Sequence, residues 1–210
     1  MLFDKNNINT RFEQVIKLTW EIFQCKVGNG LISISKEASM QLQFAYILQN
    51  LISIFIYEKD ENVEIQLEKT VYPNDIPCEV DMFVIIKKGN HEHNIAIEMK
   101  CYREYASSGG KRGAGDIFMK DVYKDIEKLE TYLNANICQS TMLLIMNDYE
   151  NFIYPKNKVS KCWDYDISYD YRLTPKQLTT PIGGKDVSIT INNEYVFNWT
   201  KFGVYYFLAL

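Results

Sequence analysis

Long apolar runs are missing from this 210-residue chain: none approaches the roughly 18–20 residues that cross a bilayer, so no membrane segment is expected. The N-terminal stretch MLFDKNNINTRFEQ lacks a cationic start leading into an apolar core, so no signal peptide is expected either. Cysteines are few, odd in number and far apart, at Cys25, Cys78, Cys101, Cys138 and Cys162, with no C-x-x-C. That excludes a disulfide framework or a zinc knuckle and makes a reducing, cytoplasmic setting the simplest expectation. An excess of basic charge is also missing. The 23 Lys and Arg face 27 Asp and Glu, a formal net charge of −4, with a pI near 5.3. Coating of nucleic acid by charge alone is thereby excluded, whereas a locally basic groove is not. No P-loop, G-x-G-x-x-G or G-x-S-x-G is present, nor any internal repeat or low-complexity tract. What is there is ordinary globular composition, 47% hydrophobic and 24% charged, over a length that suits one domain. Aromatic residues reach 14%, with 15 Tyr, and crowd toward the C-terminal third.

Periodicity places the elements. Phe12, Val15, Ile16, Trp20 and Phe23 recur at helical spacing over 10–25. A longer helix over about 36–57 carries Met40, Phe44, Ile47, Leu48, Leu51 and Phe55 as its apolar stripe, with Ser35 as N-cap. Residues 63–72 alternate Val63, Ile65 and Leu67 against Glu64, Gln66 and Glu68, as a half-buried strand does. Strands over 78–86 and 94–101 follow, joined through a turn on Gly89-Asn90. Residues 102–115 carry Gly, Ser and basic side chains and read as a mobile loop. Asp116 is placed to cap a helix to about residue 134, with Val122, Ile126, Leu129 and Leu133 on its core face. The uninterrupted apolar run 141–146 then predicts a strand buried on both faces, closing a βαβ unit. Residues 149–182 show no clear element, and 186–208 read as two strands.

The informative constellation is Asp81 on one strand and Glu98-Met99-Lys100 on the next. Alternation puts Glu98 and Lys100 on one face and Ile95, Ile97 and Met99 on the other. A hairpin folded symmetrically about Gly89-Asn90 sets Ile85 opposite Asn94 and Asp81 opposite Glu98. Directly opposed Cβ atoms lie about 4.5–5.5 Å apart. Two carboxylates that close repel unless a proton or a cation is shared. Mg²⁺ is the natural cation, because it takes one or two carboxylates and keeps several waters. Lys100, on the same face, would orient a water or neutralise a phosphate. An acid–acid–lysine cluster on adjacent strands therefore fits phosphodiester hydrolysis. The bland alternative is a solvent-face ion pair between Glu98 and Lys100. Glu37 shares helical spacing with Gln41, Phe44 and Leu48, so it lies near the buried stripe and within reach of this site. As a helix-start acid it is equally explained by the macrodipole.

A helix with an acid, a strand, a strand with Asp, a strand with Glu-x-Lys, a helix and a strand resemble in order the PD-(D/E)XK nuclease superfamily. Pro77-Cys78-Glu79-Val80-Asp81 matches its first element and Glu98-Met99-Lys100 its second, with Glu37 as the helical acid. Pro77 departs from the pattern in not adjoining Asp81. The resemblance covers roughly residues 36–147. It implies an α/β fold with a restriction-endonuclease-like αβββαβ core, a mixed central sheet flanked by helices, and an aromatic-rich C-terminal β elaboration over 149–210, all within a single domain. It further implies a Mg²⁺- or Mn²⁺-dependent nuclease acting on DNA, in restriction, defence or DNA processing. Asp81, Glu98 and the Met99 carbonyl would hold metal, Lys100 would position or help deprotonate the attacking water, and Glu37 would support the site. Members that cut both strands are often dimers, so a homodimer is an expectation of the resemblance alone. The alternative is a catalytically inactive nuclease-fold protein that binds nucleic acid or a protein partner.

Basic residues follow the motif. Arg103, Lys111 and Arg112 in the loop, and Lys120 with Lys124 and Lys128 on the helix, are candidate phosphate contacts. The helical lysines also have Asp116, Asp121, Asp125 and Glu127 close in sequence for local pairing. His91 and His93 form an H-x-H without further zinc ligands at suitable spacing, and read as a solvated turn. Tyr149, Tyr154, Trp163, Tyr165, Tyr169 and Tyr171 read as packing residues first and base-stacking residues second.

Overall fold

Spacing in the first 147 residues translates closely into elements. The structure, a computed structural model, describes residues 3–106 and 108–210. In chain order it contains α1 (Ile8–Gly28), α2 (Glu37–Phe55), β1 (Glu61–Val71), β2 (Cys78–Lys88), β3 (His91–Tyr102), α3 (Gly115–Asn134) and β4 (Ser140–Asn147). A one-turn helix α4 (Glu150–Ile153) follows, then six short strands: β5 (Arg172–Leu173), β6 (Lys176–Leu178), β7 (Ile189–Ile191), β8 (Tyr195–Val196), β9 (Thr200–Phe202) and β10 (Tyr205–Ala209). The architecture is α/β, with a six-stranded sheet in the order β1-β2-β3-β4-β10-β9. Strands β3 and β4 are parallel, joined by α3 as the βαβ pattern predicts, and every other neighbouring pair is antiparallel.

Each face of the sheet carries its own core. Helices α1 and α2 bury Phe12, Ile16, Trp20, Phe23, Phe44 and Leu48 against Val84, Ile97, Met99, Leu144 and Phe207. Trp20 stacks on Phe23 at 5.3 Å, and both meet Phe207 edge-on. On the other face α3 buries Val122, Tyr123 and Ile126 against Phe83, Ile85, Ala96 and Leu143. The C-terminal aromatics complete this second core. Tyr165 packs on Tyr123 at 5.5 Å, and the Trp199 indole donates to the Ile167 carbonyl at 2.6 Å. Each fully buried large apolar side chain contributes roughly 1.5–3 kcal/mol, so the C-terminal third is integral to stability. Arg11, fully buried on α1, pins the start of β1 through Glu61 at 2.6 Å.

Several expectations are corrected. The packed sheet extends beyond residues 36–147, since α1 and β10 join it. The two strands expected over 186–208 are four, and the last two are no appendage: β10 pairs with β4, and β9 forms the sheet edge beyond it. The unplaced 149–182 stretch holds α4, β5, β6 and a 3₁₀ turn at Lys161–Tyr165. The N-cap of α2 is Lys36, whose N–H is taken by the Ser39 hydroxyl, and not Ser35. Likewise α3 begins from Ala114 in the left-handed region (φ +62°), and Asp116 sits in the first turn, where its carboxylate accepts the Ile117 N–H. Among the described residues no helix is long and apolar enough to cross a membrane.

Candidate functional site

The site forms where the sheet splits. The β2–β3 hairpin turns on Gly89-Asn90, Gly89 supplying φ +57°, and its register is the symmetrical one from Lys88–His91 to Met82–Ile97. There the ladder stops. The β1–β2 pairing also skips one step, between Leu67–Met82 and Lys69–Val80, at Glu68, whose φ is +50°. Val80 and Met82, two apart, consequently enter opposite cores. Asp81 occupies the kink. Its Oδ2 accepts the Met99 N–H at 2.6 Å in place of a ladder bond. Gln41, buried on α2, braces the same point, donating to the Asp81 carbonyl at 2.6 Å and to Glu68 Oε1 at 2.8 Å. The expected direct pairing of Asp81 with Glu98 is thus replaced by a splayed junction. Side chains from both layers of the molecule meet in it.

Glu98 and Lys100 do share a face of β3, toward α3, but they are not partners. Glu98 is only 1% exposed, so the solvent-face ion pair is ruled out. Its Oε1 accepts the Tyr132 hydroxyl at 3.0 Å and its Oε2 lies 3.4 Å from Lys128 Nζ. Lys100 Nζ lies 3.0 Å from Asp125 Oδ2 and 3.5 Å from Glu37. Glu37 in turn accepts the Cys101 N–H at 3.3 Å, and Lys128 Nζ approaches Asp125 Oδ1 at 3.8 Å. Glu37, Asp81, Glu98 and Lys100 are therefore brought together as one network through Asp125, Lys128 and the β3 backbone.

Four carboxylates face two ammonium groups here, a surplus of two negative charges if all ionise. Burial, followed by the charges of Asp125 and Asp81, pushes the Glu98 carboxyl up to about 8, against the pull of Lys128 and Tyr132. Burial also raises Glu37 and Asp125. Burial pulls Lys100 downward, but Asp125, Glu37 and Asp81 together outweigh it and hold the ammonium above its ordinary range. Asp125 Oδ2 is buried with no hydrogen bond of good geometry, only the Lys100 ammonium beside it. A crowded set of hard oxygen donors with uncompensated charge fits a divalent cation. Among the described residues no three or more His, Cys, Asp or Glu side chains are grouped to hold a metal.

The remaining candidates are dispersed. Lys120 is 7% exposed and paired with Asp121 at 3.0 Å, so it presents nothing to a phosphate, and that expectation is corrected. Arg103 is a strut: it pairs with Asp148 at 2.7 Å, donates to the Ile34 carbonyl and lies over the Tyr205 ring. The loop expected to be mobile is tied down, with Tyr105 bridged to Lys111 and Arg112 N–H donating to the Glu104 carbonyl at 2.7 Å (Ser107 lies outside the described residues). Lys111 reaches solvent beside Glu104 at 3.0 Å, and half-buried Arg112 donates to the Ser35 carbonyl at 3.1 Å. His93 is not a solvated turn residue, for its Nε2 lies 3.2 Å from Ser140 Oγ and 3.6 Å from Glu13.

The parts that Asp125, Lys128, Tyr132 and Gln41 play in this network escaped sequence reasoning, which read Lys128 as a phosphate contact and Asp125 as its local partner. The signal was there: Asp125, Lys128 and Tyr132 recur at three- and four-residue steps along α3, a polar stripe inside its buried face. Local pairing hid it, since Lys120 takes its neighbour Asp121 while Lys128 adds a reach across to Glu98 to its approach to Asp125. Compared with protein-family models, curated proteins and solved structures, the chain matches none.

Proposed function

We propose that the chain is a metal-dependent nuclease that hydrolyses DNA phosphodiester bonds on a restriction-endonuclease-like core. The observation that carries this reading is the buried Glu98, set with Asp81 and a charged Lys100 where β2 and β3 part. Asp81 and Glu98, with the Met99 carbonyl, would hold Mg²⁺ or Mn²⁺. A divalent cation there would supply Lewis acidity toward a phosphoryl oxygen. Lys100, kept protonated by Asp125 and Glu37, donates hydrogen bonds to the attacking water and counters charge developing on the phosphate. This selects orientation over deprotonation for that side chain. Glu37 and Asp125 are positioning residues for Lys100, and Lys128 and Tyr132 for Glu98. Restriction, defence or DNA processing in the cytoplasm is the setting the chemistry suits, and cutting both strands would call for two copies.

Supercoiled plasmid incubated with Mg²⁺ or Mn²⁺ tests the reading. Nicking by the wild-type chain should vanish in EDTA and fall by roughly 10²-fold or more in Lys100→Ala, the size of loss seen when one preorganised charge-stabilising donor is removed. Equal background nicking by both proteins would instead leave a catalytically idle nuclease-fold binding module.

A further inference from the structure

Two residues beyond Lys100 on β3, on the same face, Tyr102 lines a cavity of about 260 Å³. This is just below the roughly 300–1,000 Å³ of drug-sized ligand sites, room for one planar ring system. Its walls are aromatic: the Tyr102 and Phe152 rings lie 4.9 Å apart, Tyr149 meets Phe152 edge-on at 4.9 Å, and Trp163 completes the lining. Its rim is cationic, with Lys111 and Arg112, and Lys111 Nζ stands 5.5 Å over the Tyr149 ring. The N-terminus of α3 opens onto it through Gly115 and Asp116; its N-cap Ala114 offers no side-chain acceptor, and Asp116 takes the Ile117 N–H. A Cβ at Gly115 would meet the Phe152 ring at 3.0 Å, so the rings close directly on the helix backbone.

We propose that this cavity takes one unstacked nucleotide of the strand being cut, an inference that rests on the nuclease reading. The base stacks in the aromatic slot, which suits any base because every base has a π-face. Its phosphate meets Arg112, Lys111 and the Gly115 and Asp116 N–H groups at the start of α3, the next N–H, of Ile117, being held by the Asp116 carboxylate. The Lys111 side of the Lys111–Glu104 pair is solvent-exposed, so Lys111 exchanges that contact readily for a phosphate. Asp116 offers a carboxylate oxygen to an exocyclic amino group. A strand advances about 3.3 Å per residue, so the slot lies about one extended nucleotide step from Lys100.

Binding of a fluorescein-labelled single-stranded oligodeoxynucleotide to the full chain, in EDTA to prevent cleavage, tests this by anisotropy and tryptophan emission. Trp20 and Trp199 are buried, so quenching reports Trp163. Wild type should show saturable quenching. Trp163→Leu should lose it and bind roughly tenfold or more weakly. Lys111→Glu, at a position whose side chain is 60% exposed, should bind more weakly with a salt slope smaller by about one. A deoxymononucleotide binding as tightly as the oligonucleotide would overturn the strand assignment. Unchanged binding in both variants, with wild-type melting, would overturn the pocket. Pocket-dependent binding without plasmid cleavage would remove the nuclease reading alone, whereas cleavage with pocket-independent binding would remove this inference alone.

Discussion

Glu98 holds the sharpest consequence at the scale of single residues. Its folded carboxyl titrates near 8 and the ordinary value is 4.5. A raised folded value means that its contribution to stability is full below about 4.5 and is lost as pH rises through about 8, each pH step of one between those values removing roughly 1.4 kcal/mol. In EDTA the wild-type Tm should therefore fall between pH 5 and pH 8, and the Glu98→Gln profile should be flatter by an amount equivalent to a few kcal/mol. Adding Mn²⁺ at pH 8 should raise Tm in the wild type and not in the variant. Parallel profiles for the two proteins would contradict the burial and like-charge origin of the raised value. Alternation along IAIEMK was enough to set Glu98 and Lys100 on one face. The acids and amines that α3 adds were not legible, because their neighbours in sequence offer equally good partners, and only folding decides which are taken.

Among the elements, α3 does most to join parts of the molecule. One stripe of it serves the acid cluster. Glu130, 3% exposed, serves the C-terminal region, accepting from the backbone and side-chain amides of Asn192 and Asn193 and from the Tyr195 hydroxyl, at 2.9–3.0 Å. Burial raises this carboxyl, but those five donors outweigh it and hold it below its ordinary value. Its stabilisation is therefore present above the unfolded value and lost as pH falls through the depressed one. Glu130→Gln turns an amide toward the donors and should cost roughly 1.5–3 kcal/mol, the range for hydrogen bonds to a charged group. Thermal melting should show the loss, and amide exchange should quicken first at 189–196. Unchanged exchange there would mean that this segment is held by its apolar contacts alone. The kink in β2 has a similar lesson: alternation predicted the strand, but the skipped step at Glu68 and Asp81 depends on Gln41 from another helix, which no local pattern encodes.

For the whole molecule, one sheet separates two cores, and the site lies where that separation fails. The order of elements through residue 147 and the hairpin register were legible because local periodicity and one tight turn dictate them. The attachment of β10 to β4 was not, since YYFLA carries no mark of which strand it will join, and its pairing is settled by the aromatic core around Trp20 and Phe23. On the proposed function, this split gathers a carboxylate pair for a divalent cation beside a fixed ammonium group. Anomalous diffraction from Mn²⁺-soaked crystals tests it most directly. A peak is expected between the carboxylates of Asp81 and Glu98, with Lys100 still beside Asp125. An empty split, or Mn²⁺ bound only at other carboxylates, would contradict it.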